Sequence, residues 1–202
     1  TRSSTVSWAR DVYKRQITNI GCGIYLYNSS DNNIARNNIA NVSVVGFHLS
    51  ESSNNNIIVE NNIAGKRGEI LLEGNDGIVL ISSNNNIIVR NSITVTRGFE
   101  MSGGYAIHFS WSSNNTIIEN CIKNNYCGMY LLSSSGNSIY HNDFINNTNQ
   151  VSTSNSVNIW DNSYPSGGNY WSDYSGVDEK SGPNQDQPGS DGIGDTPHVI
   201  DA

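Results

Sequence analysis

The stretch "SSNNNIIVENNI" (52–63) returns at 82–93 as "SSNNNIIVRNSI". Near-identity within one chain marks a repeat architecture, which outranks local propensity in deciding the fold. Five segments align: "GIYLYNSSDNNIARNNI" (23–39), "GFHLSESSNNNIIVENNI" (46–63), "GIVLISSNNNIIVRNSI" (77–93), "AIHFSWSSNNTIIENCI" (106–122) and "GMYLLSSSGNSIYHNDF" (128–144). The steps from 23 to 46 and from 106 to 128 are short, and define a repeating unit of about 22–23 residues. The two longer steps between them carry insertions at 64–76 and 94–105. A degenerate sixth copy, "NQVSTSNSVNIWDNSY", follows at 149–164.

Each copy reads as short strands separated by polar turns. Alternation in "GFHL" turns Phe47 and Leu49 inward and His48 outward. The equivalent inward pairs are Ile24/Leu26, Ile78/Leu80, Ile107/Phe109 and Met129/Leu131. A second apolar column is Ile34, Ile58, Ile88, Ile117 and Ile139; a third is Ile39, Ile63, Ile93, Ile122 and Phe144. Inward columns from three strands per turn describe a triangular solenoid, and no helical period of 3.6 runs through them. The expected fold is all-β: a right-handed, single-stranded parallel β-helix (solenoid) over 17–160, with about six coils. Segment 161–202 supplies an aromatic C-terminal cap and an Asp/Gly-rich loop. One strand spacing of about 4.8 Å per coil makes the rod about 30 Å long. The right hand follows the crossover rule for parallel strands.

Three positions after each second-column Ile stands Asn: Asn37, Asn61, Asn91, Asn120, Asn142. Stacked amides can bond to one another along the rod and so satisfy a buried turn. Just before them stand Arg36, Glu60, Arg90, Glu119 and His141, alternating in sign. Directly stacked like charges would repel, so the alternation supports the register.

Net charge is −7 and only 14% of residues are charged. A nucleic-acid partner needs a basic stripe that is missing here. No apolar run in this sequence approaches the length of a membrane span. The Asn, Ser and Gly content would suit a disordered chain, but the apolar residues fall in regular β-branched clusters. Cys22, Cys121 and Cys127 are odd in number and form no CxxC. Cys22 and Cys127 share a column four coils apart, too far to bridge; Cys121 and Cys127 are near enough in sequence to approach.

The opening segment 1–16, "TRSSTVSWARDVYKRQ", contains no Asn and four of the eleven Lys and Arg. "DVYKRQ" back-translates readily to a transposon mosaic end used in sequencing libraries. We therefore expect 1–16 to be translated adapter and leave it out of the fold reading.

The coil pattern, followed by "NIWDNSYPSGGNYWSDYSG" and "DGIGDTPHVID", resembles the NosD-like, periplasmic copper-binding type of right-handed β-helix proteins, abundant among archaeal surface proteins. The resemblance covers about 17–202. It implies an extracytoplasmic protein, periplasmic or at the cell surface. The expected function is a non-catalytic module that binds or scaffolds polysaccharide or a surface-layer glycoprotein.

Candidate sites follow from what differs between copies. The outward column Tyr25, His48, Val79, His108, Tyr130, with Tyr27 and Trp111 nearby, offers aromatic faces to sugar rings beside hydrogen-bonding groups. The same residues also suit a pleated surface for packing reasons alone. Copper is not supported: with the Val79 coil between them, His48 and His108 lie about 9.6 Å apart, beyond a shared metal. Calcium is the sharper metal expectation. "DQPGSDGIGD" sets Asp186, Ser190, Asp191 and Asp195 around glycines, although the spacing is not that of an EF-hand; a solvated acidic turn is the other reading. The rival function is a polysaccharide-active lyase, epimerase or hydrolase. It would need clustered carboxylates on one face. The insertions could wall such a cleft with Lys66, Arg67, Glu69, Glu73, Asp76, Arg97 and Glu100; His141 and Asp143 are a weaker pair.

Overall fold

The computed structural model describes residues 11–65, 75–95 and 104–200. The described chain is all strand and turn, wound as a right-handed parallel β-helix. Its coils stack into three parallel sheets, six-, seven- and six-stranded among the described residues.

The first sheet holds strands such as Asn33–Ala35, Ile57–Val59, Ile87–Val89, Thr116–Ile118 and Ser138–Tyr140. They stack with Ile34, Ile58, Ile88, Ile117 and Ile139 in register. The second sheet stacks Ile39, Ile63, Ile93, Ile122 and Phe144 in the same way. The third carries the longest strands: Cys22–Tyr27, Val45–Ser50, Asp76–Ile81, Tyr105–Ser110, Cys127–Leu132 and Asn149–Ser154. Every residue of the expected apolar columns is buried, Ile24 least so at 5% exposed. Burying such a side chain contributes about 1.5–3 kcal/mol, so the interior columns are the main stabilising term.

The corners explain the asparagines. Asn61 Nδ2 donates to Asn91 Oδ1 at 3.0 Å, Asn91 to Asn120 at 3.0 Å, and Asn120 to Asn142 at 2.9 Å. Asn169 extends this ladder beyond the last full repeat. A second ladder, not picked out from sequence, runs Asn32–Asn56–Asn86–Asn115–Asn137–Asn158. Beside it the backbone N–H of each of Ser29, Ser53, Ser83, Ser112 and Ser134 donates to a serine Oγ one coil on. The triplet in the opening stretch thus splits its work. Asn55 and Asn85 turn the corner at φ 55° and 57°, a left-handed conformation that Asn tolerates. Asn56 and Asn86 are the buried rungs.

The residues before the first ladder are left-handed too, at φ 53–56° for Arg36, Glu60, Arg90, Glu119 and His141. Glu60 pairs with Arg36, and with Arg90 at 3.3 Å; Arg90 also reaches Glu119 at 3.3 Å. The ladder stops there. His141 turns instead to Ser166, with Nε2 2.8 Å from its carbonyl oxygen.

Among the described residues strand pairing begins at Asp11–Tyr13, inside the stretch read as adapter, where Arg36 donates to the Tyr13 hydroxyl at 2.6 Å. At the other end Trp171 stacks on Phe144 at 4.6 Å, with Trp160 beside it, so these two indoles cover the last coil. Tyr164 and Tyr170, from the same aromatic segment, are exposed. The three cysteines are free thiols, so Cys121 and Cys127 do not pair.

Candidate functional site

The third sheet presents outward columns to solvent. One runs Tyr25, His48, Val79, His108, Tyr130, in the register expected. Two positions on, strand alternation puts Tyr27, Ser50, Ile81, Ser110 and Leu132 on the same side, and the strands begin three positions before the column with Cys22, Val45, Asp76, Tyr105 and Cys127. The structure divides the aromatic residues into two groups. In the first coils Tyr25 packs on His48 at 4.9 Å and on Tyr27 at 6.3 Å. Further along, His108 packs on Tyr130 at 5.2 Å, and Tyr105 stacks on Tyr130 at 5.0 Å. Buried Val79 separates them.

The two most exposed aromatics of this region are Tyr27 and Trp111, each 60% accessible. Trp111 adopts φ 49° at the corner that follows Ser110. A bulky side chain in this conformation is an uncommon, strained choice. The equivalent corners carry Asn28, Glu51 with Ser52, Ser82, Ser133 and Asn155.

Two copies share a His-x-Ser pattern but differ in surroundings. Ser50 bonds with the Tyr25 hydroxyl at 3.0 Å, and His48 Nε2 is buried without a partner. Burial holds the His48 pKa below the ordinary imidazole value; nearby His108 pushes the same way and Asp76 opposes. In the other copy His108 lies between Asp76 and Ser110. Its Nδ1 is 3.4 Å from Asp76 Oδ2 and its Nε2 is 3.2 Å from Ser110 Oγ. Asp76 Oδ1 accepts the backbone N–H groups of Gly104 and Tyr105, each at 3.1 Å. Sequence reasoning placed Asp76 only in a loop wall and left out Tyr105 and Ser110. The doubled His-x-Ser was the visible signal. The other insertion residues, Lys66, Arg67, Glu69, Glu73, Arg97 and Glu100, lie outside the described residues.

The Asp/Gly loop is organised by backbone donors. Asp191 accepts from the N–H groups of Gly182 and Ile193, both at 3.1 Å, and from Gln185 Nε2 at 3.2 Å. Asp195 accepts from Glu179 and Lys180. Asp178, absent from the expected set, takes the Ser190 hydroxyl at 2.7 Å and two backbone N–H groups. Asp186 meets Gln187 Nε2. The three expected carboxylates therefore face different donors, while Ser190 itself donates to Asp178. Between this loop and the last coil lies a cavity of about 660 Å³, lined by Trp160, Trp171, Tyr174, Ile193 and His198 among others.

The donors present do not fit copper. Among the described residues no three His, Cys, Asp or Glu side chains converge on one point. Metal-binding cysteine is a thiolate. Burial pushes the thiol pKa of Cys22 up to about 11 and that of Cys127 up to about 12, so both stay protonated. Met129 is sealed in the core.

No curated protein matches this chain. No helix among the described residues is long and apolar enough to cross a membrane. The family described as periplasmic copper-binding protein (NosD) matches residues 3–176, all the described coils and the start of the cap. On that match, and on a stacked parallel β-helix of the expected register, the chain belongs to the NosD family and is an extracytoplasmic, periplasmic β-helix protein.

Proposed function

We propose that this chain is a binding module for polysaccharide, held along the outward face of the third sheet. The observation that carries the reading is the pair of solvent-facing aromatics, Tyr27 and Trp111, flanking a register-locked aromatic column. They stand three coils apart, about 14 Å at the strand spacing. Sugar rings stack on aromatic faces while their hydroxyls take hydrogen bonds from neighbouring polar groups. A strained Trp at a corner where other copies use Asn, Ser or Glu favours a role beyond folding.

A glycan array probed with the wild-type chain and with Tyr27→Ala/Trp111→Ala tests this. At about 1 kcal/mol per stacked aromatic, the double variant loses at least tenfold in affinity. Unchanged binding by the variant, or no binding by the wild type to any polysaccharide, refutes the proposal. Binding that vanishes when a surface-layer glycoprotein is deglycosylated would identify the glycan carrier.

A further inference from the structure

Asp76, His108 and Ser110 form an unbroken side-chain chain on the outward face. The carboxylate can only accept, so the Nδ1 contact places a hydrogen on that nitrogen. Nε2 is then free to accept from the Ser110 hydroxyl, 3.2 Å away. Carboxylate, imidazole and hydroxyl in this order orient and activate a serine nucleophile, and separations somewhat longer than ideal are usual before substrate binds. Two features hold the arrangement. Ser110 stands two positions after His108 in one strand, so both emerge on the same face. Asp76 is fixed from the neighbouring strand by two backbone N–H groups.

The contrast within the molecule is informative. His48 and Ser50 repeat the His-x-Ser pattern two coils away. There, among the described residues, His48 Nε2 has no hydrogen-bond partner, and Ser50 is bonded to Tyr25. A stacking preference for His-x-Ser does not explain why, among the described residues, an acid contacts His108 and not His48.

We propose that Ser110 is the nucleophile of a carboxylic-ester hydrolase site, with His108 as general base and Asp76 as a positioning residue. Ser110 Oγ bonds to the ester carbonyl carbon as His108 Nε2 takes its proton. Collapse of the adduct breaks the carbon–alkoxy bond, and the same proton passes to the departing alcohol. Water then attacks the acyl-serine, giving one proton to His108. The acid leaves, and the serine oxygen recovers that proton. Ester and water become acid and alcohol, with no other reactant. The proposal stands on these three side chains and does not depend on the glycan reading. If both hold, O-acylated sugars are the matching substrate class.

The test uses the full chain with a fluorophosphonate probe and p-nitrophenyl acetate, whose good leaving group makes acylation easy to read. Intact mass and peptide mapping should place one phosphonyl adduct on Ser110. Ser110→Ala should abolish it and lower ester turnover at least about a hundredfold. His108→Gln should do the same. Asp76→Asn should lower kcat with little change in KM, because its effect passes through the histidine. Ser50→Ala should leave labelling intact. Circular dichroism of each variant confirms the coil before rates are compared. An adduct elsewhere, no adduct on the folded wild type, or equal turnover in folded Ser110→Ala or His108→Gln overturns the proposal.

Discussion

Asn91→Ala probes the feature that makes this sequence a β-helix. Asn91 is 1% exposed, in a central coil. Its Nδ2 donates to Asn120 Oδ1 at 3.0 Å, to the Ile58 carbonyl at 2.9 Å and to the Val89 carbonyl at 3.1 Å. Its Oδ1 accepts the Asn61 backbone N–H at 2.9 Å and Asn61 Nδ2 at 3.0 Å. Alanine removes every one of these bonds and offers no replacement. The Asn61 backbone N–H then loses its acceptor where water does not reach. At about 1–3 kcal/mol for that orphaned group, and about 0.5–1.5 kcal/mol for each of the four further bonds lost, the cost is about 3–9 kcal/mol. Urea unfolding followed by circular dichroism reads this as a lower midpoint at unchanged slope. The exposed Asn62→Ala, which loses one surface bond to Asn38 at 2.8 Å, is the control and should change stability by about 0.5 kcal/mol or less. Asn91→Asp adds a pH signature. It sets an oxygen against the Ile58 and Val89 carbonyls, so its carboxyl is driven towards the protonated form. A raised folded pKa means that stability is recovered as pH falls. An Asn91→Ala loss under about 1 kcal/mol, or one equal to Asn62→Ala, would refute the ladder as a stabilising element.

Other perturbations give different readouts. Trp111→Asn should raise stability by about 1 kcal/mol by relieving a bulky residue at φ 49°, seen as a melting temperature about 2–4 °C higher, while polysaccharide affinity falls. His48 has a folded pKa below its unfolded value, so its contribution is complete above about pH 6.5 and is lost as pH falls towards the folded pKa. Melting temperatures of His48→Gln should therefore decline less than wild type from pH 7.5 to 4.5. Asp195→Ala should weaken the tail equally in EDTA and in calcium, because Asp195 accepts from the backbone N–H groups of Glu179 and Lys180. A loss seen only in calcium would make that loop a metal site.

The fold was legible because repetition turns single residues into columns. The Ile columns and the Asn37–Asn142 ladder could be read directly, since identical spacing survives the insertions. The ladder through Asn56 and Asn86 has equally constant spacing, but the Asn triplet hides which member turns inward. Charge alternation identified the pairs between Arg36 and Glu119 and failed at His141, where the cap supplies Ser166 as a nearer partner. The candidate site was harder. Tyr25, His48, His108 and Tyr130 share a column by simple alternation. The contact of Asp76 with His108 depends on how the chain re-enters the sheet after an insertion, which no repeat encodes. The stacking of His198 on Trp171 at 4.5 Å likewise brings together residues from an irregular tail.

The most direct test of the proposed binding face is amide hydrogen exchange on the wild-type chain with and without a polysaccharide that it binds. Added protection should concentrate at 22–27, 45–50, 105–111 and 127–132, the strands and corner of the aromatic face. Protection confined instead to the cavity around Trp160, Trp171 and Tyr174, with no change along the third sheet, would contradict it.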